Sequence, residues 1–141
     1  MATIYQAASA APTTRALPVW TGRVMTALVI LFLGMDAAGK LTAPATMIAY
    51  SPPLGLPADT GFYRLLGSIL AIATLLYAWP RTAFLGAILL TGYLGGAVAT
   101  HLRVGSPIFS YTLFGVYLGI MLWSGLWLRD SRIRALLPLI R

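Results

Sequence analysis

The sequence contains no cysteine, a single histidine and only three acidic residues among its 141 positions. Without cysteine the chain has no disulfides, no thiolate nucleophile and no cysteine-ligated cluster. The single histidine, His101, excludes bis-histidine haem ligation and the zinc motifs that need two histidines. The sequence also has no phosphate-binding loop, no Ser–His–Asp set and no carboxylate pair placed for general acid catalysis. These absences favour a protein that is not an enzyme, and they predict no catalytic residues and no metal site.

Charged residues are scarce as well, since they make up 9% of the chain, whereas 59% of the residues are hydrophobic and the mean hydropathy is +0.83. A soluble domain carries about 25% charged residues, so this composition predicts an integral membrane protein. The net charge of +7 does not indicate nucleic-acid binding, because the basic residues stand at the ends of apolar runs. The lipid bilayer is therefore the first predicted partner.

Four apolar runs are long enough to cross a bilayer, for which a helix needs roughly 20 residues. The clearest extends from Arg81 to Gly105 and is uncharged from Thr82 to Ala99. The sequence predicts an all-α integral membrane fold, an antiparallel bundle of four transmembrane helices at about 20–41, 62–79, 82–103 and 111–128. A short interfacial helix is predicted in the first connection, over Pro44 to Tyr50.

The ends of the chain are more polar than the predicted membrane domain, residues 19–130. Residues 1–18 are small, polar and marked by proline, and are predicted to form a mobile or interfacial tail. Residues 131–141 are predicted to form a basic tail. Several aromatic residues lie at span ends, where an interfacial belt is expected; they are Trp20, Tyr63, Tyr77, Trp79, Tyr111 and Trp127.

The basic residues are divided unequally between the two ends of the predicted bundle. Seven lie at the end that holds both termini and the turn at Pro80, and three lie at the other end. The positive-inside rule therefore predicts that both termini are cytoplasmic, so that the opposite end of the bundle is the outer one.

Polar side chains gather at this predicted outer end. They suggest a ligand-binding pocket lined by Asp36, Lys40, Arg64, His101 and Arg103, with Tyr93 or Tyr111 below them. Asp36 and Lys40 are four residues apart on one helix face and are expected to pair, because an unpaired charge within a span costs a few kcal/mol. Arg64 or Arg103 is an alternative partner for Asp36. Such a pocket would hold a quinone headgroup or exchange protons with it; the alternative is an ion-pair network that fixes helix register.

Three further features bear on cofactors and packing. His101 follows Ala97 by four residues, a spacing compatible with an axial ligand to haem or chlorin. A lone histidine near the membrane edge is more typical of a hydrogen-bonded interfacial residue, so such ligation is not predicted, and quinone remains the candidate cofactor. Two GxxxG motifs are predicted to pack the third and fourth helices within the bundle, with dimerisation as the alternative; their glycines are Gly92, Gly96, Gly115 and Gly119.

Three segments carry a resemblance to a known family. They are LGMDAAGKL at 33–41, the run ending GYLGGAVATHLRVG at 80–105, and LFGVYLGIMLWSGLWLRDSRIRALLPL at 113–139. Together they resemble the DoxX-like family of small four-helix bacterial membrane proteins over about residues 20–140. The resemblance implies an inner-membrane bundle with both termini inside, and a link to quinol oxidase and thiosulfate:quinone oxidoreductase through the member that names the family. A thiol-based role of wider relatives does not carry over, because cysteine is absent.

Three functions are compatible with these observations. The first is a non-catalytic accessory or structural subunit of a larger respiratory or photosynthetic complex, which would make other membrane protein subunits its partners. The second is a quinone-interacting redox membrane protein that uses the outer pocket. The third is a small transporter with Asp36 and Lys40 in its path; it comes last because four helices leave little room for a pore.

Overall fold

A computed structural model describes residues 16–136 of the chain. Within this range there are six α-helices and no strand; the helices are α1 (Ala16–Thr42), α2 (Ala45–Ile48), α3 (Thr60–Ala78), α4 (Ala83–Arg103), α5 (Phe114–Arg129) and α6 (Ser131–Leu136). A 3₁₀ turn lies at Pro52–Leu54, and a π-helical turn at Ile108–Thr112 leads into α5.

Four stretches are long and apolar enough to cross a membrane, namely Pro18–Thr42, Thr60–Ala78, Ala83–Arg103 and Ile108–Arg129. Each of the four long helices packs against two others, so that α1, α3, α4 and α5 form a closed ring. The predicted all-α membrane fold with four long helices is therefore confirmed, and the predicted short helix in the first connection is α2.

The two predicted tails are described only in part. Of the predicted N-terminal tail, residues 1–15 lie outside the described residues, and α1 already begins at Ala16. Of the predicted basic C-terminal tail, residues 131–136 form α6 and residues 137–141 lie outside the described residues. The carboxylate of Asp130 accepts a hydrogen bond from the backbone N–H of Arg132 at 2.9 Å and so starts α6.

Local sequence signals set the ends of the long helices. The carboxylate of Asp59 accepts a hydrogen bond from the N–H of Phe62 at 2.8 Å, which caps the start of α3. Helix α3 stops before Trp79, whose extended backbone (φ −84°, ψ 122°) is the conformation that a following proline favours. Beyond α4, Gly105 adopts a positive φ of 67°, which lets the chain reverse towards α5.

Small residues hold the ring together, as expected in lipid, where helices gain little from apolar burial against each other. Each of the four helix–helix seams contains at least one glycine whose added Cβ would lie within about 3 Å of the neighbouring helix. They are Gly67 of α3, which packs against α1, Gly86 of α4 against α3, Gly115 of α5 against α4, and Gly22 and Gly125 between α1 and α5. The closest approach is at Gly86, where a Cβ would lie 2.2 Å from the backbone nitrogen of Tyr77.

We name the two ends of the bundle by what they contain. The hairpin end carries the turn at Trp79–Pro80 and the last turn of α5; the cavity end carries Asp36, Lys40 and His101. Between them the core is filled by leucines from all four long helices, Leu33, Leu70, Leu90 and Leu122. The predicted aromatic belt is wrong for Tyr63 and Tyr77, which are 5% and 0% exposed, because both lie on the core face of α3.

Candidate ligand-binding site

A cavity of about 830 Å³ occupies the cavity end of the bundle. All four long helices contribute to its wall, and the connection between α1 and α3 covers its top. Its size falls within the range of about 300–1,000 Å³ that is usual for small-molecule sites. The lining is mostly apolar, with Leu33, Leu66, Leu94 and Leu118 among the side chains that contribute to it.

One ion pair faces this cavity. The ammonium group of Lys40 donates a hydrogen bond to the carboxylate of Asp36, one turn earlier on α1, and both side chains are part-buried. The pairing expected from the sequence is therefore present within α1. Among the described residues no other charged side chain lines the cavity, so the charges on this part of its wall sum to zero.

His101 contributes a second polar group. Its Nδ1 lies 3.0 Å from the hydroxyl of Ser106, and its ring lies 6.0 Å from the ring of Tyr111. The reversal of the chain at Gly105 brings Ser106 back to the imidazole, because the N–H of Ser106 donates to the carbonyl of His101 at 3.0 Å. The imidazole is thus fixed through Nδ1, and Nε2 has no hydrogen-bond partner among residues 16–136.

Two tyrosine hydroxyls at the cavity are also without hydrogen bonds. Tyr93 on α4 and Tyr111 in the π-helical turn both line the cavity, and neither hydroxyl bonds to another residue in the described part of the chain. Each hydroxyl can donate one hydrogen bond and accept others. With His101 Nε2, the cavity therefore presents three polar groups that have no hydrogen-bond partner among residues 16–136.

The connection that covers the cavity is attached at two points. The hydroxyl of Ser51, which is fully buried, donates to the hydroxyl of Tyr63 at 2.7 Å and ties the connection to α3. The guanidinium of Arg103 donates to the carbonyl of Leu54 at 2.8 Å and ties it to the end of α4. These contacts place the apolar side chains of residues 47–56 over the cavity.

Two residues predicted for the pocket do not line it. Arg64 is exposed, because it follows Tyr63 on α3 and so projects about 100° away from the face that meets the cavity. Arg103 also lies outside the cavity wall, because its guanidinium is bound to the covering connection. Neither reaches Asp36, and Asp36–Lys40 is the only ion pair within residues 16–136. The predicted residues that the structure does bring together are Asp36, Lys40, Tyr93, His101 and Tyr111.

The predicted packing glycines also need correction. Gly115 does pack, since an added Cβ would lie 3.0 Å from the carbonyl oxygen of Leu94. At Gly92, Gly96 and Gly119 an added Cβ would meet no described residue within 4 Å, so these glycines pack against no other helix within residues 16–136. Gly92 and Gly96 line the cavity instead, and Gly119 lines a second groove, of about 460 Å³, between α4 and α5.

At the hairpin end, sequence reasoning missed a buried polar cluster centred on Tyr77. The Tyr77 hydroxyl donates to the carbonyl of Leu122 on α5 at 2.9 Å and lies 3.4 Å from the hydroxyl of Thr26 on α1. The guanidinium of Arg129 lies over the Tyr77 ring at 5.4 Å and donates to the Tyr77 carbonyl at 3.3 Å. The available signal was the seven-residue spacing of Tyr63, Leu70 and Tyr77, which places all three on one helix face.

A comparison with protein families places the chain among known sequences. The model of the DoxX-like family matches residues 24–125, well over half of the chain, and confirms the resemblance seen in the sequence. A search of the curated proteins and a search of the solved structures each gave no match. The matched stretch includes every polar residue of the cavity wall.

Proposed function

Because the chain belongs to the DoxX-like family of multi-pass membrane proteins, and because its bundle holds an apolar cavity with free hydrogen-bond donors, we propose that it binds a quinone. The headgroup would occupy the cavity beside Asp36, Lys40 and His101. The observation that carries the proposal is that, within residues 16–136, the cavity wall has no net charge and carries three polar groups without a hydrogen-bond partner. A neutral ligand with hydrogen-bond acceptors matches both properties.

The charge of the wall argues for an uncharged ligand. Asp36 and Lys40 neutralise each other, so an ion entering the cavity would lose its hydration without gaining an opposite charge. A quinone is neutral, and its two carbonyl oxygens accept hydrogen bonds. The donors available to them are His101 Nε2 in its protonated tautomer and the hydroxyls of Tyr93 and Tyr111. Lys40 would supply a charge-assisted donor at the edge of the same space.

The hairpin end supports a closed binding site rather than a transport path. Tyr77 touches α1, α4 and α5 at this end, and Gly86 brings α3 and α4 into direct backbone contact. The core leucines lie between this cluster and the cavity. A solute in the cavity would therefore have to separate the helices to reach the opposite side, which makes transport the less favoured function.

The proposed location is a bacterial inner membrane with the hairpin end on the cytoplasmic side. Within residues 16–136 the hairpin end carries five arginines, whereas the cavity end carries three basic residues, Lys40, Arg64 and Arg103. The excess supports this orientation through the positive-inside rule. The cavity would then lie in the outer half of the bilayer.

Titration of the protein in lipid nanodiscs with a benzoquinone that carries a ten-carbon tail tests the proposed function. We expect saturable binding that weakens by about tenfold or more in Asp36→Asn and in His101→Ala. Arg64→Ala is the matched control, because Arg64 lies at the same end but outside the cavity. Helical circular dichroism would verify that each variant is folded. Unchanged affinity in both Asp36→Asn and His101→Ala would refute the assignment of the cavity.

A second candidate function is that of an accessory subunit of a larger membrane complex. The groove between α4 and α5 favours it, because Gly95 and Gly119 leave this surface open and Val116 and Ile120 make it apolar. Glycines at such a surface let another transmembrane helix approach closely. This function is compatible with quinone binding, since the groove and the cavity lie on opposite sides of the wall formed by Leu94, Val98 and Gly115.

Purification from the native membrane in a mild detergent tests this second function. If the groove holds a partner helix, the chain co-purifies with a larger complex, and Gly119→Leu releases it while leaving the isolated protein folded. Gly92→Leu is the matched control, because Gly92 is equally open but faces away from the groove. A monomer or homodimer in the wild-type preparation would count against the subunit role.

A further inference from the structure

We infer that the cavity opens sideways into the bilayer, through a gap between α3 and α4 that is bordered by Gly92 and Gly96. The ligand would then enter from the membrane, and its apolar tail would lie in this gap while its headgroup stays in the cavity. This inference rests on the proposed function and adds to it the chemical class of the ligand. That class is a neutral headgroup on a single flexible hydrocarbon tail.

Three of the four seams around the cavity are closed by direct contact. Between α1 and α3, a Cβ on Gly67 would lie 2.9 Å from the backbone nitrogen of Leu41. Between α1 and α5, the rings of Phe32 and Phe114 meet edge to face at 5.2 Å. Between α4 and α5, Gly115 packs against Leu94 as described above. At each of these three seams the two helices are therefore in contact beside the cavity.

The seam between α3 and α4 changes along its length. At the hairpin end it is closed by the backbone contact between Gly86 and Tyr77. Tyr93 is seven residues beyond Gly86, and Gly96 is three residues further, so both lie towards the flank of α4 that faces α3. Gly92 lies one turn before Gly96. Both glycines are exposed, and an added Cβ on either would meet nothing within 4 Å.

The facing flank of α3 is apolar. Gly67 packs against α1, and Leu66 and Phe62 lie on the other flank of α3, towards α4. Both side chains line the cavity and are only partly buried. The gap is thus bordered by hydrocarbon on one side and by bare helix backbone on the other. The backbone groups on both sides are satisfied within their helices, so an apolar tail meets no unpaired backbone group there.

The cover over the cavity favours access from the bilayer instead of from water. Ser51 and Arg103 hold the α1–α3 connection against α3 and α4. Leu54 and Leu56 of this connection contribute to the cavity lining. A water-borne ligand would have to displace these contacts. A ligand that enters from the lipid through the gap between α3 and α4 would leave these contacts in place.

Side chains placed in the gap test the inference. The variants are Gly92→Leu and Gly96→Leu, with Gly96→Ala as a smaller step, and Gly95→Leu is the matched control. Gly95 is equally open but lies on the α5 side of α4, in the second groove. An added Cβ on any of the three glycines of this test would contact nothing in residues 16–136, so each variant is expected to fold. The probes are one benzoquinone headgroup carrying either a ten-carbon tail or a methyl group, titrated in nanodiscs of one lipid composition.

We expect Gly92→Leu and Gly96→Leu to weaken binding of the tailed quinone by about tenfold or more, with Gly96→Ala in between. Binding of the methyl-substituted quinone should weaken by a smaller factor than that of the tailed quinone, because only the tail lies in the gap. Equal losses for the two quinones would overturn the inference. Gly95→Leu should alter neither. If the wild-type protein binds neither quinone, the proposed function fails and this inference fails with it. If it binds both and the leucine variants match Gly95→Leu, the inference alone is overturned.

Discussion

The two ends of this bundle are built from the same kinds of residues but differ in how the helices meet. At the hairpin end, Gly86 brings α3 and α4 into backbone contact, and the buried side chain of Tyr77 links α3 to α1 and α5. At the cavity end, Gly92 and Gly96 border an open space of about 830 Å³. In the seam between α3 and α4, glycine therefore closes the bundle at one end and leaves it open at the other.

The difference shows that a polar group in the bundle has a different role at each end. At the hairpin end the hydroxyl of Tyr77 is satisfied by other helices, which is the arrangement expected of a group that stabilises the fold. At the cavity end the hydroxyls of Tyr93 and Tyr111 and the Nε2 of His101 have no partner in the described part of the chain. The hydroxyl of Tyr77 should therefore contribute to the stability of the fold, and the three groups without a partner should contribute to ligand binding.

The largest effect should come from Gly86→Ala. A methyl group at this position would lie 2.2 Å from the backbone nitrogen of Tyr77, so α3 and α4 must move apart. Overpacking of this kind costs about 3 kcal/mol of unfolding free energy. Thermal or denaturant unfolding in detergent micelles measures the loss. Gly92→Ala is the control and should cost nothing, and equal stability of the two variants would contradict the contrast between the ends.

Asp36→Ala should have the next largest effect on stability. It leaves the ammonium group of Lys40 part-buried and unpaired, at a cost of about 2 kcal/mol. The double variant Asp36→Ala, Lys40→Met removes both charges and should recover most of the loss. Unfolding of the three proteins under identical conditions gives the comparison. An unchanged unfolding midpoint for Asp36→Ala would mean that water, and not Asp36, stabilises the charge of Lys40.

Tyr77→Phe removes the hydroxyl that bonds to the carbonyl of Leu122 and contacts Thr26. The expected cost is about 1 kcal/mol, since interhelical hydrogen bonds in membranes are modest. Tyr50→Phe is the matched control, because Tyr50 is 73% exposed. The same unfolding experiment applies. Quinone binding should be unchanged in Tyr77→Phe. A loss of binding without a loss of stability would mean that the hairpin end influences the cavity, which the structure does not predict.

Arg103→Ala should have the smallest effect, about 0.5 kcal/mol of unfolding free energy, because its hydrogen bond to the carbonyl of Leu54 is exposed. Its consequence should be local. Hydrogen exchange of the backbone amides in residues 45–57 should accelerate, whereas exchange in Arg64→Ala should stay at the wild-type rate. Equal exchange in both variants would indicate that Ser51 alone holds the cover in place.

Features that depend on local sequence could be predicted well. The four spans follow from the lengths of the apolar runs, and the Asp36–Lys40 pair follows from a spacing of four on one helix. Both depend only on residues within one helix. The exposure of Arg64 could have been predicted on the same basis, because Arg64 directly follows Tyr63, which lies on the core face of α3, and successive helical residues point about 100° apart.

Features that depend on how helices meet could not be predicted in the same way. A GxxxG spacing indicates that two glycines share a face, but it does not tell which neighbour that face meets. Gly92 and Gly96 therefore were assigned to packing, whereas Gly86, which lies outside either motif, makes the closest contact. Likewise, the hydroxyl of Tyr77 bonds to a carbonyl 45 residues away, and no spacing within α3 encodes that partner.

The central claim is that the cavity holds a neutral molecule with a hydrocarbon tail. The most direct test is to purify the protein from its native membrane in a mild detergent and to identify the small molecules that it retains by mass spectrometry. We predict a tailed quinone in stoichiometric amount in the wild-type protein, and much less in Asp36→Asn and Gly96→Leu than in Gly95→Leu. A wild-type preparation without any such molecule, or equal quinone content in all these variants, would contradict the claim.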